Sequence, residues 1–272
     1  MYRIHLIVWS KDRACQLHLL LASLARYLPQ TFTTSIIYRS TTEKYEEAYE
    51  ILRKSKVGSI QNEVVWFREI DFYDDTKFAI ECNTFDYVCF ATDDTAIFKN
   101  PPKRLSPSDL GTGVFSFRLG LNTTLQDCFN GVWQPPLNLP TEEGEIISWD
   151  WTQYHAHYNY GYPCALDMHV FPRKLVSSLI TDEFHNTNQL ESMMFYNREL
   201  VPPIMKSFKH SIAVNIPMNN ISGVTKATGI SLEGLNDKFL AGYRFDLDSL
   251  AKTPIVGCHQ EISLELKNGS HV

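Results

Sequence analysis

The stretch Phe85-Asp-Tyr-Val-Cys-Phe-Ala-Thr-Asp-Asp-Thr-Ala-Ile-Phe98 sets two adjacent acids between two apolar runs. Asp86 to Ala91 has the length and composition of a buried strand, and the polar break after it is where such a strand ends. Upstream, the same alternation repeats. Ile4 to Trp9 predicts a strand, closed by the polar Ser10-Lys-Asp-Arg13. Cys15 to Tyr27 carries Leu17, Leu20, Leu21 and Leu24 at helical spacing, and Pro29 stops it. Ser35 to Tyr38 predicts a second strand, Glu43 to Lys56 a helix, Val64 to Phe67 a third strand and Asp75 to Asn83 another helix. Strand and helix alternating across short breaks predict an α/β fold with a parallel sheet covered on both faces.

Downstream the pattern loosens. Proline pairs at 101–102, 135–136 and 202–203 punctuate a polar, aromatic region. Gly113 to Phe117 reads as a strand, Asn188 to Arg198 and Leu232 to Leu240 as helices, and Pro254 to Leu266 as a closing loop and strand. With no repeat and no long linker, the expectation is a single domain over 1–272. Residues 1–98 read as its nucleotide-type α/β half and 99–272 as an irregular half that shapes the substrate site.

A chain of 272 residues is long enough to bury a core without disulfide or metal staples. Its 44% hydrophobic and 21% charged residues are ordinary for a globular protein. A net charge of -6 without a basic run argues against nucleic acid as a partner. The first ten residues are too short an apolar run for a signal peptide or a membrane span. The expected location is therefore cytoplasmic, with peripheral contact to a membrane left open. The six cysteines include no C-x-x-C pair and read as buried thiols.

In open parallel sheets ligands sit outside the carboxyl ends of the strands. Those ends here are Ser10 to Arg13, Arg39-Ser-Thr, and the segment holding Asp93 and Asp94. Arginines on two strand ends and carboxylates on a third suit a diphosphate together with a divalent cation. A solvated turn is the plain alternative for the acidic pair. Trp149 and Trp151 lie in an aromatic stretch whose plain reading is a hairpin packed on the core.

The segment from Phe85 to Phe98 resembles the metal-binding strand end of GT-A fold glycosyltransferases, which carry a D-x-D-like motif between hydrophobic runs. The resemblance implies a Rossmann-like, mostly parallel mixed sheet flanked by helices. It implies that Asp94 ligates Mn2+ or Mg2+ and that Asp93 is the middle position, with Thr92 standing where the family has its first acid. Ser10 and Arg13 match the nucleotide-contacting turn after the first strand, and Lys77 is a further donor-site candidate. His259, in Val256-Gly-Cys-His-Gln-Glu261, stands where many such enzymes supply a second metal ligand. Ser116-Phe-Arg-Leu-Gly-Leu-Asn122, Trp149-Asp-Trp151, Tyr162-Pro-Cys-Ala-Leu-Asp167 and Asn186-Thr-Asn-Gln-Leu-Glu191 resemble sugar-facing segments, which implies that Trp149 or Trp151 stacks on a sugar. Glu191 is the candidate base, with Asp150 and Asp167 as rivals.

The activity so implied is metal-dependent transfer of a hexose or deoxyhexose from a UDP-, GDP- or TDP-sugar to a glycan or glycolipid-type acceptor, as in polysaccharide biosynthesis. A catalytically inactive module that binds nucleotide sugar or glycan is the alternative from another class. A sugar nucleotidyltransferase is a weaker one, because Ser10-Lys-Asp-Arg-Ala lacks the glycines its phosphate loop needs. Walker, G-x-G-x-x-G, G-x-S-x-G and H-E-x-x-H patterns are missing.

Overall fold

Seven of the eight residues of strand β1 (Ile4–Lys11) are buried, because both of its faces are covered. In this computed structural model, which describes residues 4–29, 31–59, 64–82, 85–127, 132–138, 140–218 and 230–269, β1 lies inside a nine-stranded sheet. Leu6 and Val8 face one hydrophobic cluster, which includes Leu17, Leu20, Leu21 and Leu24 of helix α1 (Ala14–Tyr27). Ile7 and Trp9 face the other cluster, with Ala79, Val176 and Leu190. Near-continuous apolar character is what a central strand with two covered faces requires.

The chain continues through β2 (Phe32–Arg39), α2 (Glu43–Lys54), α3 (Lys56–Ser59), β3 (Val64–Arg68), α4 (Phe72–Glu81), β4 (Tyr87–Thr92) and β5 (Thr95–Ile97). Side-chain caps fix the helix starts: Thr42 accepts from the Tyr45 amide and Asp71 from the Asp74 amide. The cap at Asp71 explains why α4 begins three residues before the expected Asp75. Beyond β5 come α5 (Pro107–Leu110), β6 (Val114–Ser116), β7 (Leu125–Asp127), β8 (Val132–Trp133), β9 (Thr141–Glu143) and β10 (Ile146–Asp150). The remainder is β11 (His169–Pro172), α6 (Arg173–Leu179), α7 (Thr187–Tyr196), β12 (Ile204–Phe208), β13 (Ala213–Asn215), α8 (Leu232–Leu240), β14 (Tyr243–Phe245), α9 (Leu247–Lys252) and β15 (Leu266–Asn268).

The sheet order is β3-β2-β1-β4-β11-β6-β12-β10-β9. Strands β3, β2, β1 and β4 are parallel, β6 and β12 share their direction, and β11, β10 and β9 pair antiparallel with their neighbours β4 and β6, β12, and β10 respectively. The fold is the mixed, largely parallel α/β sheet expected. The later half is more regular than its composition suggests, since five of its strands extend the same sheet. From β1 the chain runs outward to β2 and β3, then returns to β4 on the opposite side of β1. That reversal opens a crevice between the carboxyl ends of β1 and β4, where open α/β sheets bind ligands. Smaller pairs, β5 with β13 and β7 with β8, lie outside the main sheet. Of the cysteines, Cys15, Cys89, Cys164 and Cys258 are buried free thiols and Cys82 is exposed; Cys128 lies outside the described residues.

Candidate functional site

Direction decides which loops meet at the β1–β4 crevice. Residues just after the parallel strands β1, β4 and β6 reach that edge, as do residues just before the antiparallel β11. Ser10 and Arg13 arrive from β1, Thr92, Asp93 and Asp94 from β4, Arg118 from beyond β6, and Asp167 from just ahead of β11. Arg118 is held by a tight turn. Its neighbour Gly120 leaves no room for a side chain, since a Cβ there would sit 2.4 Å from the Ser211 amide nitrogen.

Two ionic clusters result. In the first, Arg13 Nη1 donates to Asp93 Oδ1 at 2.7 Å and to Asp94 Oδ2 at 3.2 Å. Arg13 Nη2 also donates to the Met218 carbonyl. Ser10 Oγ donates to Asp93 Oδ2 at 2.8 Å and lies 2.6 Å from the Tyr49 hydroxyl. Asp93 is 3% exposed. Burial pushes its carboxyl up, to about 6, against the pull of Arg13, while the two carboxylates hold the Arg13 guanidinium firmly charged despite its burial.

In the second cluster, Arg118 Nη1 lies 3.5 Å from Asp167 Oδ2 and 3.2 Å from His259 Nε2, which is itself 3.3 Å from Asp167 Oδ2. A protonated His259 donates to the carboxylate; with Nε2 bare it accepts from the guanidinium. Burial works against ionisation of Asp167, but His259, Arg118 and Thr92 together hold it well below the usual carboxylate range. Glu191, on α7, is shifted the other way by burial and by the charge of Asp167, and the Tyr162 hydroxyl hydrogen-bonds to it.

Thr92 joins the clusters. Its Oγ1 is 2.8 Å from Asp94 Oδ1 and 2.8 Å from Asp167 Oδ1, and it accepts from Asn215 Nδ2 at 3.1 Å. Asn215 Nδ2 also donates to Asp94 Oδ1 at 2.9 Å, so the Thr92 hydroxyl proton can serve Asp167 while both carboxylates stay charged. Among the described residues no three His, Cys, Asp or Glu side chains form a cage for a metal. The oxygen donors instead fit an ion of the Mg2+ or Mn2+ kind, held by one or two carboxylates and completed by phosphate oxygens.

Several expected residues sit elsewhere. Trp149 is 4% exposed and donates its indole N–H to the Tyr160 carbonyl, and buried Trp151 donates to Pro202, so both are core residues and neither offers a face to a sugar. The register from Trp149 through Met205 to Val114 puts the end of β10 at the opposite edge of the sheet from Asp94. Asp150 shares that edge, where it caps the turn at Trp151–Gln153 and accepts from Thr152. That is a capping role, remote from the ionic clusters. Lys77 is exposed on α4 beside Tyr73. Arg39 does end β2 at the crevice edge, but it pairs with Glu69 at 3.3 Å. Arg118, Asn215 and Tyr49 are not among the candidates read from the sequence, and Tyr162 enters there only as the first residue of a segment that resembles a sugar-facing one. Arg118 lay within a quoted segment, and its position just after a strand was the usable signal.

No known protein family and no curated protein matches the sequence. Solved structures do. Residues 1–349 of S. aureus TarS superpose with a TM-score of 0.51 at 12% identity, covering 78% of this chain and 59% of that one. The same protein in complex with UDP gives 0.51 at 11% identity, with the same coverage. The mannosyltransferase PcManGT from Pyrobaculum calidifontis, in complex with GDP-Man and Mn2+, gives 0.45 at 11% identity, covering 80% of this chain and 58% of that one. The chain thus spans under two thirds of these structures. What the two TarS structures share with it is the fold, a mixed, largely parallel sheet of the GT-A type flanked by helices.

Proposed function

We propose that the chain is a nucleotide-sugar-dependent glycosyltransferase, moving a sugar from a UDP-, GDP- or TDP-linked donor to a glycan or glycolipid-type acceptor. The observation that carries this reading is the meeting of Arg13, Asp93, Asp94, Arg118, Asp167 and His259 at the β1–β4 crevice. A departing diphosphate needs positive charge placed in advance, and a buried, fixed charge is far more effective than a solvated one. Arg118 supplies such a charge from its seat between Asp167 and His259. Arg13 is spent on Asp93 and Asp94, so it acts as the clamp that orients Asp94, and Ser10 braces Asp93 from the other side.

Asp94 would hold a divalent cation, with His259 as a second ligand and Asp167 close to both. Such an ion supplies Lewis-acid stabilisation of the leaving diphosphate. For the proton of the attacking hydroxyl, Glu191 is better suited than Asp167. Its carboxyl binds a proton more readily, whereas Asp167 is held ionised by three donors.

The test is thermal shift with a panel of UDP-, GDP- and TDP-sugars, followed by donor hydrolysis and transfer with Mn2+ and with chelator. A donor that binds should raise the melting temperature, and chelator should depress turnover. Asp94→Ala and Asp167→Asn should each lower turnover by about 100-fold or more. If no nucleotide sugar shifts the melting temperature, the reading fails. Binding without turnover would favour the inactive module, which the threonine at position 92 also suits.

A further inference from the structure

We infer that Trp133 is a stacking platform for a saccharide ring of the acceptor, set just beyond the site of transfer; the inference rests on the glycosyltransferase reading above. Trp133 is 71% exposed. Trp9, Trp149 and Trp151 are buried, and each donates its indole N–H, to Thr76, Tyr160 and Pro202 respectively. An indole left in water is a poor use of the largest apolar side chain unless something covers it.

Its place in the fold says what. Strand β5, which follows Asp94 directly, pairs with β13. Asn215 of β13 bridges to His259, Gly257 bridges to Leu125 of β7, and Leu125 lies opposite Trp133 of β8. One ribbon therefore runs sideways from the acidic pair, past His259, to Trp133. At about 4.8 Å per strand spacing, Trp133 stands about 10 Å beyond Gly257 along it. That is the reach of an acceptor chain lying across the ribbon, with its reacting end at the ionic clusters.

The platform is also braced. The Leu125 amide donates to the Val256 carbonyl at 2.9 Å, and the Gln134 amide and side chain donate to Thr124 and Thr123 at 2.8 Å each. Gln126 Nε2 donates to the His157 carbonyl, and Asn159 Nδ2 to the Gln126 carbonyl at 3.3 Å. A pre-positioned ring loses little entropy on binding. Gly257 and His259 are two residues apart, so by strand alternation His259 shares the ribbon face of Leu125 and Trp133. One exposed indole matches the C–H face of a single sugar ring, whereas a protein or lipid partner would want a wider apolar patch.

The experiment titrates the full chain with manno-, gluco-, chito- and galacto-oligosaccharides, reading tryptophan fluorescence and calorimetric affinity. At least one series should perturb the emission. Trp133→Ala should then weaken binding about five- to tenfold, Trp133→Tyr should retain most of it, and melting temperature and nucleotide binding should be unchanged in both. No perturbation by any series, equal affinity in Trp133→Ala, or Trp133-dependent binding to phosphatidylglycerol vesicles alone would overturn the inference. If saccharide binds through Trp133 while no nucleotide sugar binds anywhere, the transferase reading fails and the platform stands.

Discussion

The two ionic clusters at the crevice use the same residue types to opposite ends. Around Arg13 every contact turns inward: one guanidinium is divided between two carboxylates and a carbonyl, and Asp93 is sealed by Ser10 and Tyr49. Around Arg118 the contacts are longer, at 3.2 to 3.5 Å, and one member, His259, has a side chain 38% exposed. The first is a tight structural clamp that lends rigidity to Asp94, although Arg13 Nε, like Arg118 Nε, is buried without a hydrogen-bond partner among the described residues. The second keeps capacity for a ligand. The lesson is that a charged residue at a strand end serves architecture or chemistry according to how closely its neighbours hold it and how far they shut out solvent.

The sharpest break in that contrast is Asp93→Ala. It leaves Arg13 buried beside one remaining, more distant carboxylate, and removing one partner of a buried pair costs about 3–5 kcal/mol. Urea unfolding should show this loss. A cost below about 1 kcal/mol would mean that Asp93 is not part of a clamp at all.

A second test uses pH. Burial lowers His5 to about 4, and burial with the nearby Arg118 charge lowers His169 to about 3. Both histidines are depressed relative to the unfolded chain, so the unfolded state binds more protons below pH about 6.5. Their stabilising contribution is complete above that pH and is lost as pH falls toward 4, at roughly 1.4 kcal/mol per unit for each. Asp93, raised to about 6, works the other way over the lower part of this window, because its folded form takes up the proton first. His169→Gln should therefore flatten the slope of stability against pH between 6.5 and 4, and His5→Gln should do the same. Unfolding midpoints measured across that range check the sign.

The smallest effect belongs to the link between the clusters. Thr92→Val keeps the shape and removes the hydroxyl shared by Asp94 and Asp167. About 0.5–1.5 kcal/mol of stability should go. Turnover should fall less than in Asp94→Ala, and an equal fall would make Thr92 a member of the site in its own right.

Much of the fold was legible because period and length carry it. The strands before residue 98 match their apolar runs, and Leu232–Leu240 is a helix with the expected bounds. The later strands were hard to read because all five that join the main sheet are only three to five residues long and lie among prolines and aromatic loops. Trp149 shows the limit on the site: an aromatic residue written next to an acid looks the same whether it faces a ligand or, as here, sits under Tyr160 in the core.

The sequence alone determined that an acidic pair ends a buried strand in an alternating α/β chain, because burial and periodicity are local properties of a run of residues. Which charges meet there was decided by tertiary structure. Asp167 and His259 stand 92 residues apart, and Arg118 and His259 141 apart, yet each pair is within hydrogen-bonding reach. Strand direction brings the start of β11 and the ends of β1, β4 and β6 to one edge, and the same geometry sends Asp150 to the other. No local pattern encodes which edge a loop will join, since that depends on how each strand is ordered and oriented within the sheet.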